Sequence, residues 1–248
     1  MNINNLNFEN LSAREKRELI NTLDLTLDES TTDFSFQQKI LAQTLFVARS
    51  YHFHEQFFEK ISMPMPALIK DVMENVWSYL LGEISMKELE EFHKATDSVF
   101  ACLLTGEDED LDREAWEKYE RECDSTYMDF CVDTVLPSYI YDQIVSNEID
   151  WQALFEEIDS ISDYVMKVEP VFKEQVISID DEKGINSNVY DSHTFAEIFS
   201  LLQEDFRLVG NLGKTTKKDI LRLHEQYQNK ELFDRQNLIK IADAYLCS

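Results

Sequence analysis

Two short stretches bring together residues that could do acid–base or ligand chemistry. The first is His52-Phe53-His54-Glu55. On a helix His52 and Glu55 share a face at i,i+3, so the tetrapeptide has the look of a ligand cluster. His54 projects roughly 200° away from His52 at 3.6 residues per turn, and the two imidazoles cannot chelate one ion together. The zinc motif HExxH is absent, because His54-Glu55 is followed by Gln56, Phe57 and Phe58. Both histidines are therefore expected as partly buried, polar-tipped residues on a long helix. The second stretch, Gly210-Asn-Leu-Gly-Lys-Thr-Thr216, ends like a phosphate loop. That loop needs a glycine at 208, where this chain has Leu208, and a strand before it, where the pattern is helical. Lys214, Lys217 and Lys218 are expected to pair with the acidic middle of the chain or face solvent.

Carboxylates crowd the middle of the chain. Residues 101–206 hold 28 Asp and Glu against 6 Lys and Arg, while residues 207–248 hold 5 against 8. Most of the formal charge of −26 thus comes from one block. Glu117, Glu120 and Asp124 fall at i, i+3 and i+7 on one helical face, with Glu122, Asp129 and Asp133 in neighbouring directions. Like charges at this spacing repel by a few tenths of a kcal/mol per pair unless something cationic lies over them. A general acid/base pair would need one carboxylate buried with a raised pKa, which spacing alone does not confer. Gly106-Glu-Asp-Glu-Asp110 lacks the alternating ligands and terminal Glu of a calcium loop. No catalytic residue, metal ligand or cofactor is expected.

The cysteines at 102, 123, 131 and 247 form no CxxC pair, and a chain of 248 residues needs no disulfide scaffold. They read as reduced thiols of a cytoplasmic protein. Carboxylates around Cys123 raise a thiol pKa and make it a poor nucleophile. The opening MNINNLNFEN lacks the basic start and apolar run of a signal peptide. No stretch has the ~18 consecutive apolar residues that read as a membrane span.

The elements that position these residues are helices. With 5 Gly and 4 Pro, the chain has too few turn formers for a sheet-rich fold. The expected architecture is all-α, an irregular bundle of about nine or ten helices, with room for one small β-hairpin near 175–191. Residues 1–248 read as a single helical domain, and a subdivision into 1–105 and 111–248 at the Gly106–Asp110 linker stays open. Residues 1–10 read as a loose arm or a docking strand. Ser12 and Glu15 have capping-box spacing and open a helix to about Leu25. A polar break at Asp28–Asp33 precedes a long helix of about 35–60 carrying Phe36, Ile40, Leu45, Phe53 and Phe57. Pro64 and Pro66 end it. Further helices are expected at about 66–81, closed by Gly82, from Ser85 through Leu103, at about 111–135, at 139–145, after Asp150, after Ser192, from Thr216 and at about 236–246.

A net charge this negative disfavours nucleic acid and anionic membranes as ligands and favours a basic protein. Acidic helices interspersed with aromatic residues can imitate the charge density of a nucleic acid backbone and cover a basic active-site cleft. Tyr119, Glu120, Asp124, Tyr127 and Asp133 are the first candidate partner-binding residues, followed by Glu156, Glu157, Asp159 and Asp163. On these features, the acidic block, the Asn-rich start and the low Gly and Pro, the chain resembles the acidic, largely helical immunity proteins of bacterial toxin systems. The resemblance is one of class and carries no motif. It implies a cytoplasmic inhibitor that binds and occludes a cognate toxin domain, with a nuclease the most concrete choice, without doing chemistry. A helical adaptor that binds through an apolar groove is the alternative, and a metal- or carboxylate-dependent enzyme the weaker one.

Overall fold

The computed structural model describes residues 3–60, 67–105, 136–151, 154, 158, 192–228, 230, 232 and 236–240, with backbone alone at 13, 97–105 and 136–139. Helix makes up 79% of these residues and no strand or sheet occurs among them, so the fold is all-α. The helices are α1 (Ala13–Ile20), α2 (Leu23–Ser30), α3 (Phe36–Lys60), α4 (Ala67–Leu80), α5 (Met86–Thr105), α6 (Leu136–Ser146), α7 (His193–Gly210) and α8 (Lys217–Tyr227). Residues 236–240 are helical as well. The hairpin expected near 175–191, the helix expected at 111–135 and the Gly106–Asp110 linker lie outside the described residues.

Local chemistry fixes the helix ends. Ser12 with Glu15 and Thr216 with Asp219 form reciprocal capping boxes at the starts of α1 and α8. At the start of α5 the Glu88 N–H donates to Ser85 Oγ at 3.3 Å, and the Glu88 carboxylate accepts the Ser85 N–H at 2.7 Å. Each box satisfies backbone donors that a helix N-terminus leaves without partners. At the end of α4, Gly82 takes φ +67°, the Glu83 N–H reaches Ser78 O at 2.8 Å and the Gly82 N–H reaches Tyr79 O at 2.9 Å. That is a Schellman ending, which needs a left-handed residue. Asn147 ends α6 the same way at φ 55°.

Three local expectations change. The first helix does not run to Leu25. It stops at Asn21, and α2 begins at Leu23 and continues through Asp28 to Ser30. The Thr22 hydroxyl donates to Glu18 O at 2.9 Å, a side-chain bond that competes with the ladder. The break turns Leu23 and Leu27 inward and leaves Leu25 60% exposed. The N-terminal arm is docked, as two 3-10 turns (Ile3–Asn5 and Phe8–Asn10) instead of a strand. Ile3 and Phe8 are buried, Phe8 stacks on Phe199 at 4.3 Å, and the Gln203 amide donates to the carbonyls of Ile3 and Leu6. Finally, α6 starts at Leu136, with Pro137 in its first turn, where the missing N–H costs nothing.

Helix α3 is the centre, packed against α4, α6, α7 and α8. Every residue from Ile40 to Ser50 is buried, so the helix has no solvent face there. Polar residues in that run need partners. Gln43 and Gln143 exchange side-chain amide bonds at 2.8 and 3.1 Å, pinning α3 to α6, and the Thr44 hydroxyl donates to Ile40 O at 2.8 Å. One hydrophobic cluster joins buried residues from Ile3 to Leu238.

Candidate functional site: a cleft between α3, α4 and α8

The nine residues singled out for partner binding, Tyr119, Glu120, Asp124, Tyr127, Asp133, Glu156, Glu157, Asp159 and Asp163, all lie outside the described residues. The described part brings together a different set. A cleft of about 180 Å³ opens where the solvent edge of α3 meets α4 and α8. Tyr51, His52 and Glu55 line it from α3, Lys70, Glu74 and Trp77 from α4, and His224, Tyr227 and Gln228 from α8 and its end.

Glu55 is held from two sides. The Tyr51 hydroxyl donates to Oε1 at 3.1 Å, and His52 Nδ1 meets Oε2 at 3.0 Å. These are i,i+4 and i,i+3 partners on one helix, so the arrangement comes from α3 alone. The bond from His52 holds the Glu55 carboxyl below its ordinary value, and it is ionised at neutral pH. An ionised carboxylate only accepts, so His52 Nδ1 is the donor in this bond. Burial, reinforced by Glu55, pushes the Tyr51 phenol up, so it remains a donor.

The opposite wall is aromatic. Trp77, 5% exposed, stacks on the His224 ring at 4.6 Å and 26°. Burial lowers the His224 pKa, so the ring is neutral at pH 7. Lys70 lies 3.8 Å from Glu74 on the rim, both well exposed.

Behind the cleft lies a buried ionic cluster. Arg49 and Asp205 are 2% and 0% exposed. Arg49 Nη2 donates to Asp205 Oδ1 at 2.8 Å and Nε to Oδ2 at 3.0 Å. The Tyr227 hydroxyl donates to the same carboxylate, and the Arg49 guanidinium lies 5.0 Å from the Tyr227 ring centre. Burial pushes Asp205 up from the ordinary carboxylate range against the pull of Arg49. The cluster joins α3, α7 and α8 and holds Tyr227 as part of the cleft lining.

His52 and Glu55 were visible as an i,i+3 pair, and the structure adds Tyr51 and the α4–α8 wall. His54 is not partly buried; it is wholly inside, 4% exposed, with its pKa lowered to about 4 by burial. Nothing in sequence spacing links Trp77 to His224. Lys217 pairs with Glu83 at 3.9 Å, across to the end of α4. Among the described residues no group of three or more His, Cys, Asp or Glu side chains could hold a metal ion, and no helix is long and apolar enough to cross a membrane. The cleft thus presents an ionised, pre-oriented carboxylate beside aromatic side chains. No protein-family model, curated protein or solved structure matches this chain.

Proposed function

We propose that this chain is an inhibitor that binds a basic protein partner and covers its cationic surface, most concretely the effector domain of a bacterial toxin such as a nuclease. The observation that carries the reading is the charge, −26 over 248 residues and concentrated in residues 101–206. A field of that sign speeds encounter with a cationic surface and repels nucleic acid. A helical body built round the Ile40–Ser50 run of α3, which is buried on every side, suits a protein that acts by occupying a surface. Such an inhibitor works in the cytoplasm, beside the target it protects. The adaptor alternative needs an exposed apolar patch, and the large exposed hydrophobics among the described residues are the isolated Leu25 and Leu221.

The test is co-purification with the protein encoded by the adjacent gene, followed by calorimetry at low and high salt. Tight binding that weakens as salt screens the charges is the expected result. A neighbour-encoded basic protein that fails to bind overturns the reading, and salt-insensitive binding removes charge steering from it.

A further inference from the structure

We propose that the α3–α4–α8 cleft is a receptor for an arginine side chain, which on the proposed function above would be one presented by the basic partner. The carboxylate of Glu55 has two oxygens and about four acceptor positions. Tyr51 and His52 occupy one on each oxygen and leave the second on each unused. A guanidinium is the group whose parallel N–H donors match two carboxylate oxygens at once. The fixed orientation means that little side-chain freedom is lost when it docks. Its flat face then has the outer side of the His224 ring, backed by the buried Trp77, and the Tyr51 ring to lie against, and a planar cation gains on aromatic faces what a compact ammonium gains less of. Charge agrees: the lining holds two carboxylates, Glu55 and Glu74, and one lysine, Lys70, with His52 hydrogen-bonded to Glu55 and His224 kept neutral by burial. A cleft of about 180 Å³ takes a side chain and excludes a folded element.

The experiment titrates the full chain with N-acetyl-arginine amide and follows the Trp77 indole N–H and the His52 and His224 ring resonances by NMR. Trp77→Phe assigns the indole signal. Neutral N-acetyl-citrulline amide, which has the shape without the charge, and N-acetyl-lysine amide are run in parallel. Saturable shifts with the arginine amide, weaker ones with lysine and none with citrulline are expected. Glu55→Gln should weaken arginine about tenfold, the size of one lost charge-assisted contact. Lys70→Gln should tighten it by removing a competing cation, a gain that a damaged fold cannot mimic. Equal shifts with citrulline, no effect of Glu55→Gln, or weaker binding in Lys70→Gln would each overturn the assignment. So would the absence of saturable shifts. Any of these leaves the basic-partner reading to its own calorimetry, and failure of that calorimetry leaves the arginine titration standing.

Discussion

Removing Asp205 tests whether the buried cluster holds α7 and α8 onto α3. In Asp205→Ala the Arg49 guanidinium keeps its charge, since arginine does not lose its proton in proteins. It remains 2% exposed with the Tyr227 hydroxyl and, at 3.4 Å, the half-exposed Glu204 carboxylate as partners. Stranding one member of a buried pair costs about 3–5 kcal/mol, and Glu204 places this variant toward the lower end. For a chain of this size that lowers Tm by about 10 °C. Arg49→Met behaves differently. It strands a carboxyl that burial already pushes up, and that carboxyl can escape its charge by taking a proton. Its folded pKa then lies above the unfolded value, so the folded state holds the extra proton and stability rises as pH falls. The Arg49→Met penalty should thus shrink from pH 8 to pH 5, while the Asp205→Ala penalty changes little. The double variant Arg49→Met/Asp205→Leu strands no charge and should recover to within about 2 kcal/mol of wild type. Urea unfolding of wild type, Arg49→Met, Asp205→Leu (which strands Arg49 as Asp205→Ala does) and the double variant at three pH values gives the coupling. Single variants within about 1 kcal/mol of wild type, or penalties that simply add, would refute the reasoning.

His54, with its pKa lowered to about 4 by burial, makes stability depend on pH. The unfolded chain takes up the proton first, so its contribution is whole above about pH 6.5 and lost as pH falls toward 4. The loss is about 3 kcal/mol, and urea unfolding of His54→Phe should show a shallower decline over that window; an identical decline would remove His54 as the cause. Gln203→Leu leaves the Ile3 and Leu6 carbonyls without their donor. Amide hydrogen exchange should speed up across residues 3–11 and leave α3 protected, whereas unchanged exchange would mean the arm is held by Phe8 packing alone. Gln43→Leu removes the acceptor of the Gln143 side-chain N–H across α3 and α6, while Gln143 Oε1 keeps the Asp150 N–H at 3.1 Å. It should cost about 1–3 kcal/mol, and Gln43→Leu/Gln143→Leu should recover part of that in thermal melts.

The sequence by itself determined that the described chain is helical and where several of its helices begin and end. Few glycines and prolines, capping residues at fixed offsets and a helical repeat of apolar side chains are local signals, and local hydrogen bonds answer them. Ser12 with Glu15, Thr216 with Asp219, and Gly82 at positive φ are such cases. The same locality made His52 and Glu55 legible as a pair, because one turn of α3 brings them together. It also fixed the charge excess, which depends on composition alone. The site needed the fold. Arg49 and Asp205 are 156 residues apart in the chain and touch only because α7 packs on α3. Trp77 meets His224 only where α4 faces α8. An amphipathic pattern marks which residues want to leave water and does not say which helix will cover them. That is why the helical repeat of Phe36, Ile40, Leu45, Phe53 and Phe57 did not announce that α3 is buried on every side from Ile40 to Ser50. Packing chose its neighbours, and with them the residues that line the cleft.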